Sequence, residues 1–211
     1  DNTVYKKGLK ADWGFSCLVE LPQPLGKKIL FDTGTNGDIL LSNMKKLNID
    51  PASIDEVFIS HAHFDHTGGL SAFLNLNNNV VVYAPVSFRG VHGVKEVIHV
   101  SESLKIHEDV FSTGELQGIE QSLVIKTEKG TVIIVGCSHS GIGNILEAAS
   151  QFGKPYALIG GFHGFNKFDL IEDLEIICPT HCTQHIDEIK SLYPEKYIEG
   201  GAGKIIELLL E

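Results

Sequence analysis

Six consecutive residues, His61-Ala62-His63-Phe64-Asp65-His66, constrain this chain more than any other stretch. They bring three imidazoles and a carboxylate together, the ligand types that a borderline divalent cation such as zinc takes. Residues 54–60, just before, are apolar and β-branched and read as a buried strand. Residues 67–74, just after, read as a short helix entered through Gly68 and Gly69. The cluster is therefore expected on a strand-to-helix turn. In an extended segment His61 and His63 project to the same side. Asp65 and His66 follow on the turn and reach a second point nearby. A lone histidine is usually a packing or surface residue. Three beside a carboxylate, at the mouth of an apolar strand, read as a metal-binding cluster.

The rest of the chain repeats this arrangement. Strands are expected at residues 16–21, 28–31, 80–83, 155–159 and 176–179, with a short strand and turn at 110–114. Residues 122–127 and 131–135, joined through Glu128-Lys129-Gly130, read as a hairpin. Helical spacing appears at 38–47, 144–149, 169–174 and 186–192. Residues 85–108 show no clean period, and their His92, His99 and His107 read as structural or surface residues. Residues 205–210 form an apolar tail. Alternating strands and helices indicate an α/β architecture. No linker or composition break is visible, so residues 1–211 are expected to form one domain. Besides the hexapeptide, His139, His163 and His181 each follow an apolar strand, as does Asp32. Ligand-type residues at the ends of several strands suggest convergence on one metal centre.

Composition limits the partners. The formal net charge is -10 and Arg89 is the only arginine, which argues against nucleic acid. Bound cations would make the site locally positive, so a small anionic substrate fits. No apolar run is long enough to span a bilayer and no secretory signal is visible, so no membrane partner is expected. The four cysteines, Cys17, Cys137, Cys178 and Cys182, are dispersed and read as reduced thiols of a cytoplasmic protein. Cys178 and Cys182 flank His181, but a structural zinc site there lacks a matching second pair. The sequence leaves the oligomeric state open.

The H-x-H-x-D-H signature, with Phe31-Asp32-Thr33-Gly34 before it and Thr67-Gly68-Gly69-Leu70 after it, resembles the metallo-β-lactamase superfamily over nearly the whole chain. Three further stretches are similar to the branch named for 7,8-dihydropterin-6-methyl-4-(β-D-ribofuranosyl)aminobenzene-5'-phosphate synthase. They are Gly136-Cys137-Ser138-His139-Ser140-Gly141-Ile142, Gly160-Gly161-Phe162-His163 and Pro179-Thr180-His181-Cys182-Thr183. The resemblance implies a four-layer αββα sandwich with metals at one edge of two sheets. It implies one or two divalent ions, zinc foremost, with manganese or iron as alternatives. His61, His63 and His139 would hold one ion, and Asp65, His66 and His181 the other. Asp32 would stand behind them, receiving an N–H from a liganding imidazole. Two positions depart from the pattern. His163 stands where the superfamily usually has an Asp bridging two metals, and Gln184 where the branch usually has Gly.

The implied activity is that of a metal-dependent hydrolase, or of a dihydropterin-type synthase, acting on a small phosphorylated or ester-like molecule. Asp65 and His163 are the expected catalytic groups, Asp65 as a proton donor to the leaving group and His163 as a proton carrier or substrate contact. The alternative is a non-catalytic metal- or ligand-binding module that kept the fold. A nuclease, though within the superfamily, is disfavoured by the scarcity of arginine.

Overall fold

In the computed structural model, which describes residues 1–208, period-two patterning builds two sheets. The first has five strands in the order β1 (Cys17–Glu20), β2 (Lys28–Phe31), β3 (Glu56–Phe58), β4 (Val81–Pro85) and β5 (Glu96–Val100). The second runs β11 (Ile176–Thr180), β10 (Pro155–Gly161), β9 (Gly130–Val135), β8 (Leu123–Thr127), β7 (Val110–Ser112) and β6 (Leu104–His107). β2 to β5 are mutually parallel, as are β9, β10 and β11, and the remaining pairs are antiparallel. The helices are α1 (Gly37–Lys46), α2 (Phe64–Thr67), α3 (Leu70–Leu74), α4 (Ile142–Ser150) and α5 (Ile186–Leu192).

Alternation along the strands creates three apolar layers. Ile29, Phe31, Phe58 and Tyr83 of the first sheet meet Val110, Leu123 and Ile134 of the second. The intervening Leu30, Val57 and Val82 face the other way, onto Met44 of α1 and Leu70 and Phe73 of α3. On the opposite flank Val124, Ile133, Val135 and Leu158 pack against Ile142, Ile145 and Ala149 of α4 and Ile189 of α5. Three apolar interfaces require four layers, helix–sheet–sheet–helix. Phe31 and Phe58, both fully buried, stack at 5.4 Å in the central interface.

Local readings shift where tertiary pairing decides. Residues 54–60 contribute only the three-residue β3, because the chain leaves the sheet early to deliver Ser60 and His61. β5 and β6 emerge from the aperiodic segment. Both are sheet edges, held by a single neighbour rather than by local preference. Instead of a helix, residues 169–174 overlap one 3₁₀ turn, Phe168–Ile171, long enough only to bury Ile171. Of the apolar tail, residues 205–208 are irregular and residues 209 and 210 lie outside the described residues. His92 and His99 are exposed, and His107 pairs with Glu56 at 2.7 Å. Among the described residues, no helix is long and apolar enough to cross a membrane.

Candidate metal centre

Parallel strands present their carboxyl ends together, and here both sheets do so at one edge. Asp32 follows β2, Ser60 and His61 follow β3, Cys137 and His139 follow β9, His163 follows β10 and His181 follows β11. Chain reversal at these ends is abrupt. Asp32, Ser138, His163 and His181 have positive φ of 53°, 59°, 46° and 51°. Left-handed backbone costs non-glycine residues about 1–2 kcal/mol each, so the surrounding structure must hold these turns in place. Close approach needs glycine at two points. A Cβ on Gly136 would lie 2.2 Å from Ser60 Oγ, and one on Gly161 would lie 2.5 Å from Gly136 O and 2.7 Å from Cys182 Sγ.

The proton positions follow from one buried carboxylate. Asp32 accepts from Ser60 N–H at 2.7 Å and from Ser60 Oγ at 2.6 Å, and its Oδ2 lies 2.6 Å from His66 Nδ1. A carboxylate only accepts, so His66 carries a proton on Nδ1. Ser60 has a single hydroxyl proton and gives it to Asp32. Its oxygen therefore accepts from His61 Nδ1 at 2.9 Å, which leaves His61 Nε2 bare. Asn2 does the same for His181, its Oδ1 lying 3.0 Å from Nδ1 while its Nδ2 donates to the His181 carbonyl at 2.8 Å. These three imidazoles are thus turned so that Nε2 faces the centre, the arrangement that outer partners impose on liganding histidines.

The inward atoms converge. His61 Nε2 is 3.2 Å from His63 Nδ1, and the His63 and His139 rings are 4.8 Å apart. Asp65 Oδ2 lies 3.3 Å from His181 Nε2 and 3.8 Å from His66 Nε2, and accepts from Trp13 Nε1–H at 3.1 Å. His66 Nε2 is 3.1 Å from Cys137 Sγ. Two groups have ligand atoms all within 4.8 Å of one another: Asp65, His66, Cys137 and His181; and His61, Cys137 and His139. His139 Nε2 and His181 Nε2 are buried without a hydrogen-bond partner. Facing nitrogen donors and unpartnered buried lone pairs, joined by oxygen and sulfur, fit a borderline divalent cation.

Electrostatics agree with that fit. Burial, reinforced by neighbouring imidazoles, pushes His61 far below the ordinary range and His181 down to about 3. His139 is lowered by burial, against the pull of Glu120. These rings stay neutral, with lone pairs free to ligate. His66 differs: burial works against its charge, but Asp32 more than compensates and raises its pKa. Burial raises Asp32 against the opposing His66 and Ser60 contacts. The neighbouring Cys137 thiol, with His163 beside it, draws Cys182 down to about 6, and the same thiol pairing pushes Cys137 up.

His61, Asp65, His66, His139 and His181 fall within the two ligand groups, with Asp32 behind them; His63 is exposed and outside both groups, its Nδ1 3.2 Å from His61 Nε2 and its ring 4.8 Å from that of His139. His163 sits at the rim, exposed, its ring 5.0 Å from that of His139 and outside both ligand groups. Sequence reasoning missed Cys137, Ser60, Asn2 and Trp13. Cys137 lies two residues before His139, a spacing that was available as a signal. Asn2 and Trp13 reach the centre only through tertiary folding. Cys178 is not part of either ligand group; it is buried, pushed up to about 12.

Comparison with known proteins bears on the family and the fold. A 7,8-dihydropterin-6-methyl-4-(β-D-ribofuranosyl)-aminobenzene-5'-phosphate synthase of Methanocaldococcus jannaschii is 29% identical over 277 aligned positions, covering 98% of this chain and 94% of that one. The crystal structure of Tm1679, described as a metal-dependent hydrolase of the β-lactamase superfamily, superposes with a TM-score of 0.77 at 27% identity, covering 99% of this chain and 96% of that one. A ribonuclease Z of Nanoarchaeum equitans is 39% identical over 74 residues, only 35% of this chain and 22% of that one. Residues 15–181, which span Asp32 and every strand end of the centre through His181, match the model of the metallo-β-lactamase superfamily, and the chain belongs to that superfamily.

Proposed function

We propose that this chain is a metalloenzyme holding two divalent cations, zinc foremost, and acting on a small, anionic, phosphorylated or ester-like molecule. The observation that carries the reading is the set of inward imidazole nitrogens whose outer nitrogens are held by Asp32, Ser60 and Asn2. His61, His63 and His139 would hold one cation, and Asp65, His66 and His181 the other. Bound divalent cations polarise a carbonyl or phosphoryl oxygen and acidify a water.

The chain's own residues supply the rest. Asp65, held by Trp13 through one oxygen, is placed to pass a proton to a leaving group. His163, exposed beside His139, is placed to contact substrate or carry protons. A cleft of about 1040 Å³, lined by residues along β1 and by Trp13, Phe15 and Thr33-Gly34-Thr35 but by none of the candidate ligands, adjoins the centre at Trp13, whose ring lies 5.3 Å from that of His181, and offers room for the body of a small molecule. The dihydropterin synthase among the relatives supports a phosphorylated substrate. The ribonuclease Z likeness is partial, and a net charge of -10 with one arginine disfavours RNA. Four free cysteines support a reducing, cytoplasmic setting, and the apolar layer shared by both sheets supports a single domain.

Elemental analysis after mild purification tests the metal content. Turnover of generic phosphodiester and ester substrates, abolished by chelator and restored by metal, tests the activity. Less than about a tenth of an equivalent of metal, with no uptake of zinc, manganese or iron, would sink the reading.

A further inference from the structure

Both ligand groups contain one residue in common. Among the described residues, Cys137 is the only member shared by the group Asp65, His66, His181 and the group His61, His139. Its thiol is 3% exposed and lies 3.1 Å from His66 Nε2, the nitrogen left facing inward once Nδ1 is committed to Asp32. His181, 7% exposed, aims its unpartnered Nε2 into the same group. A buried cysteine is ordinarily a small apolar filler. This one is surrounded by nitrogen and oxygen donors instead.

His163 stands where a bridging carboxylate is expected, and it cannot do that task. A neutral imidazole offers one lone pair, and the His163 ring is outside both groups. A thiolate sulfur carries several lone pairs on one atom and suits borderline cations. A cation beside it removes its proton outright.

We propose that Cys137 Sγ is a ligand common to the two cation positions, holding them together in place of a bridging carboxylate. The proposal rests on the two-cation reading above. It implies selection for zinc, cobalt or iron over the harder manganese, because sulfur is a soft donor.

The experiment uses the metal alone. Metal-free protein is titrated with Co(II) and followed by absorption, alongside Cys137→Ser and Cys182→Ser. The wild type should show both ligand-field bands and a thiolate-to-cobalt charge-transfer band. Cys137→Ser should lose the charge-transfer band, keep ligand-field absorption from the imidazoles, and bind the second equivalent at least about tenfold more weakly. Cys182→Ser should keep the band. Loss of the band in Cys182→Ser with survival in Cys137→Ser overturns the proposal, as does cobalt binding with no thiolate band at all. Failure of the wild type to bind cobalt or zinc overturns the metal reading itself.

Should Cys137→Ser not fold, the wild type decides. Loaded with two equivalents of cadmium-113, it should show both cadmium resonances correlated to the β-protons of the same cysteine, Cys137. Correlation of Cys137 with one cadmium, or with none, refutes the shared ligand.

Discussion

Replacing Asp32 by asparagine tests the proton arrangement of the centre with little change in shape. The carboxylate is fully buried; it accepts from Ser60 N–H and Ser60 Oγ, and its Oδ2 meets His66 Nδ1 at 2.6 Å. An amide offers one acceptor oxygen and one donor nitrogen. With the oxygen kept on Ser60 N–H, the new NH₂ group points at Ser60 Oγ and at His66 Nδ1. His66 must then carry its proton on Nε2. Ser60, now accepting from the amide, must give its own proton to His61 Nδ1, which moves the His61 proton to Nε2 as well. Both inward lone pairs are lost together. Outer partners of this kind are worth about 10–100-fold in metal affinity, or about 1.4–2.8 kcal/mol, here at each position. Ser60→Ala removes the relay to His61 and one hydrogen bond to Asp32 but leaves Asp32 accepting from His66 Nδ1, and should weaken one position alone. Competitive calorimetric titration with zinc measures both affinities, and nitrogen-15 spectra of the imidazoles report the tautomers. Wild-type affinity for both equivalents in Asp32→Asn, or a His66 still protonated on Nδ1, would refute the reasoning.

Acid should destabilise the metal-free protein. His181, pushed to about 3, and the lowered His61 and His139 stay neutral when folded, so the unfolded chain binds more protons below its ordinary histidine pKa of about 6.5. The contribution of the buried His61 and His181 is present above pH 6.5 and is lost as pH falls, for His181 towards 3, by on the order of 1 kcal/mol per pH unit for each of these two rings; His139 acts in the same direction, and the raised His66 and Asp32 oppose it. Denaturant midpoints between pH 8 and 5 measure this, and a midpoint that rises on acidification contradicts it. Chelation of the loaded protein should lower its melting temperature, and zinc should restore it in a concentration-dependent way; a chelator-insensitive midpoint counts against a metal-supported fold. His163→Ala, at an exposed rim position, should keep the fold and both metal equivalents but lose most activity; full activity removes His163 from catalysis. Phe31→Ala should cost about 3–5 kcal/mol by urea unfolding, because the ring is fully buried against Phe58 between the sheets; a loss under 1 kcal/mol would show that the central layer collapses around the gap.

Residue chemistry and period alone carried much of this protein. The hexapeptide from His61 to His66, and the histidines at later strand ends, are legible because ligand types are rare and apolar strands are local. Unbroken apolar runs in β2 and β9 announce strands buried on both faces before any partner is known. Tertiary structure decided what depends on contacts between distant residues. Which nitrogen of His61 and His66 faces the centre is set by Asp32 and Ser60, 28 positions apart, and that of His181 by Asn2 across 179. Edge strands β5 and β6 exist through pairing that no local preference encodes. The place of Cys137 between the two ligand groups arises only when the carboxyl ends of β3, β9 and β11 are brought to one edge. A side chain's type is written in the sequence, but the donors it meets are fixed by the register and packing of strands far apart along the chain.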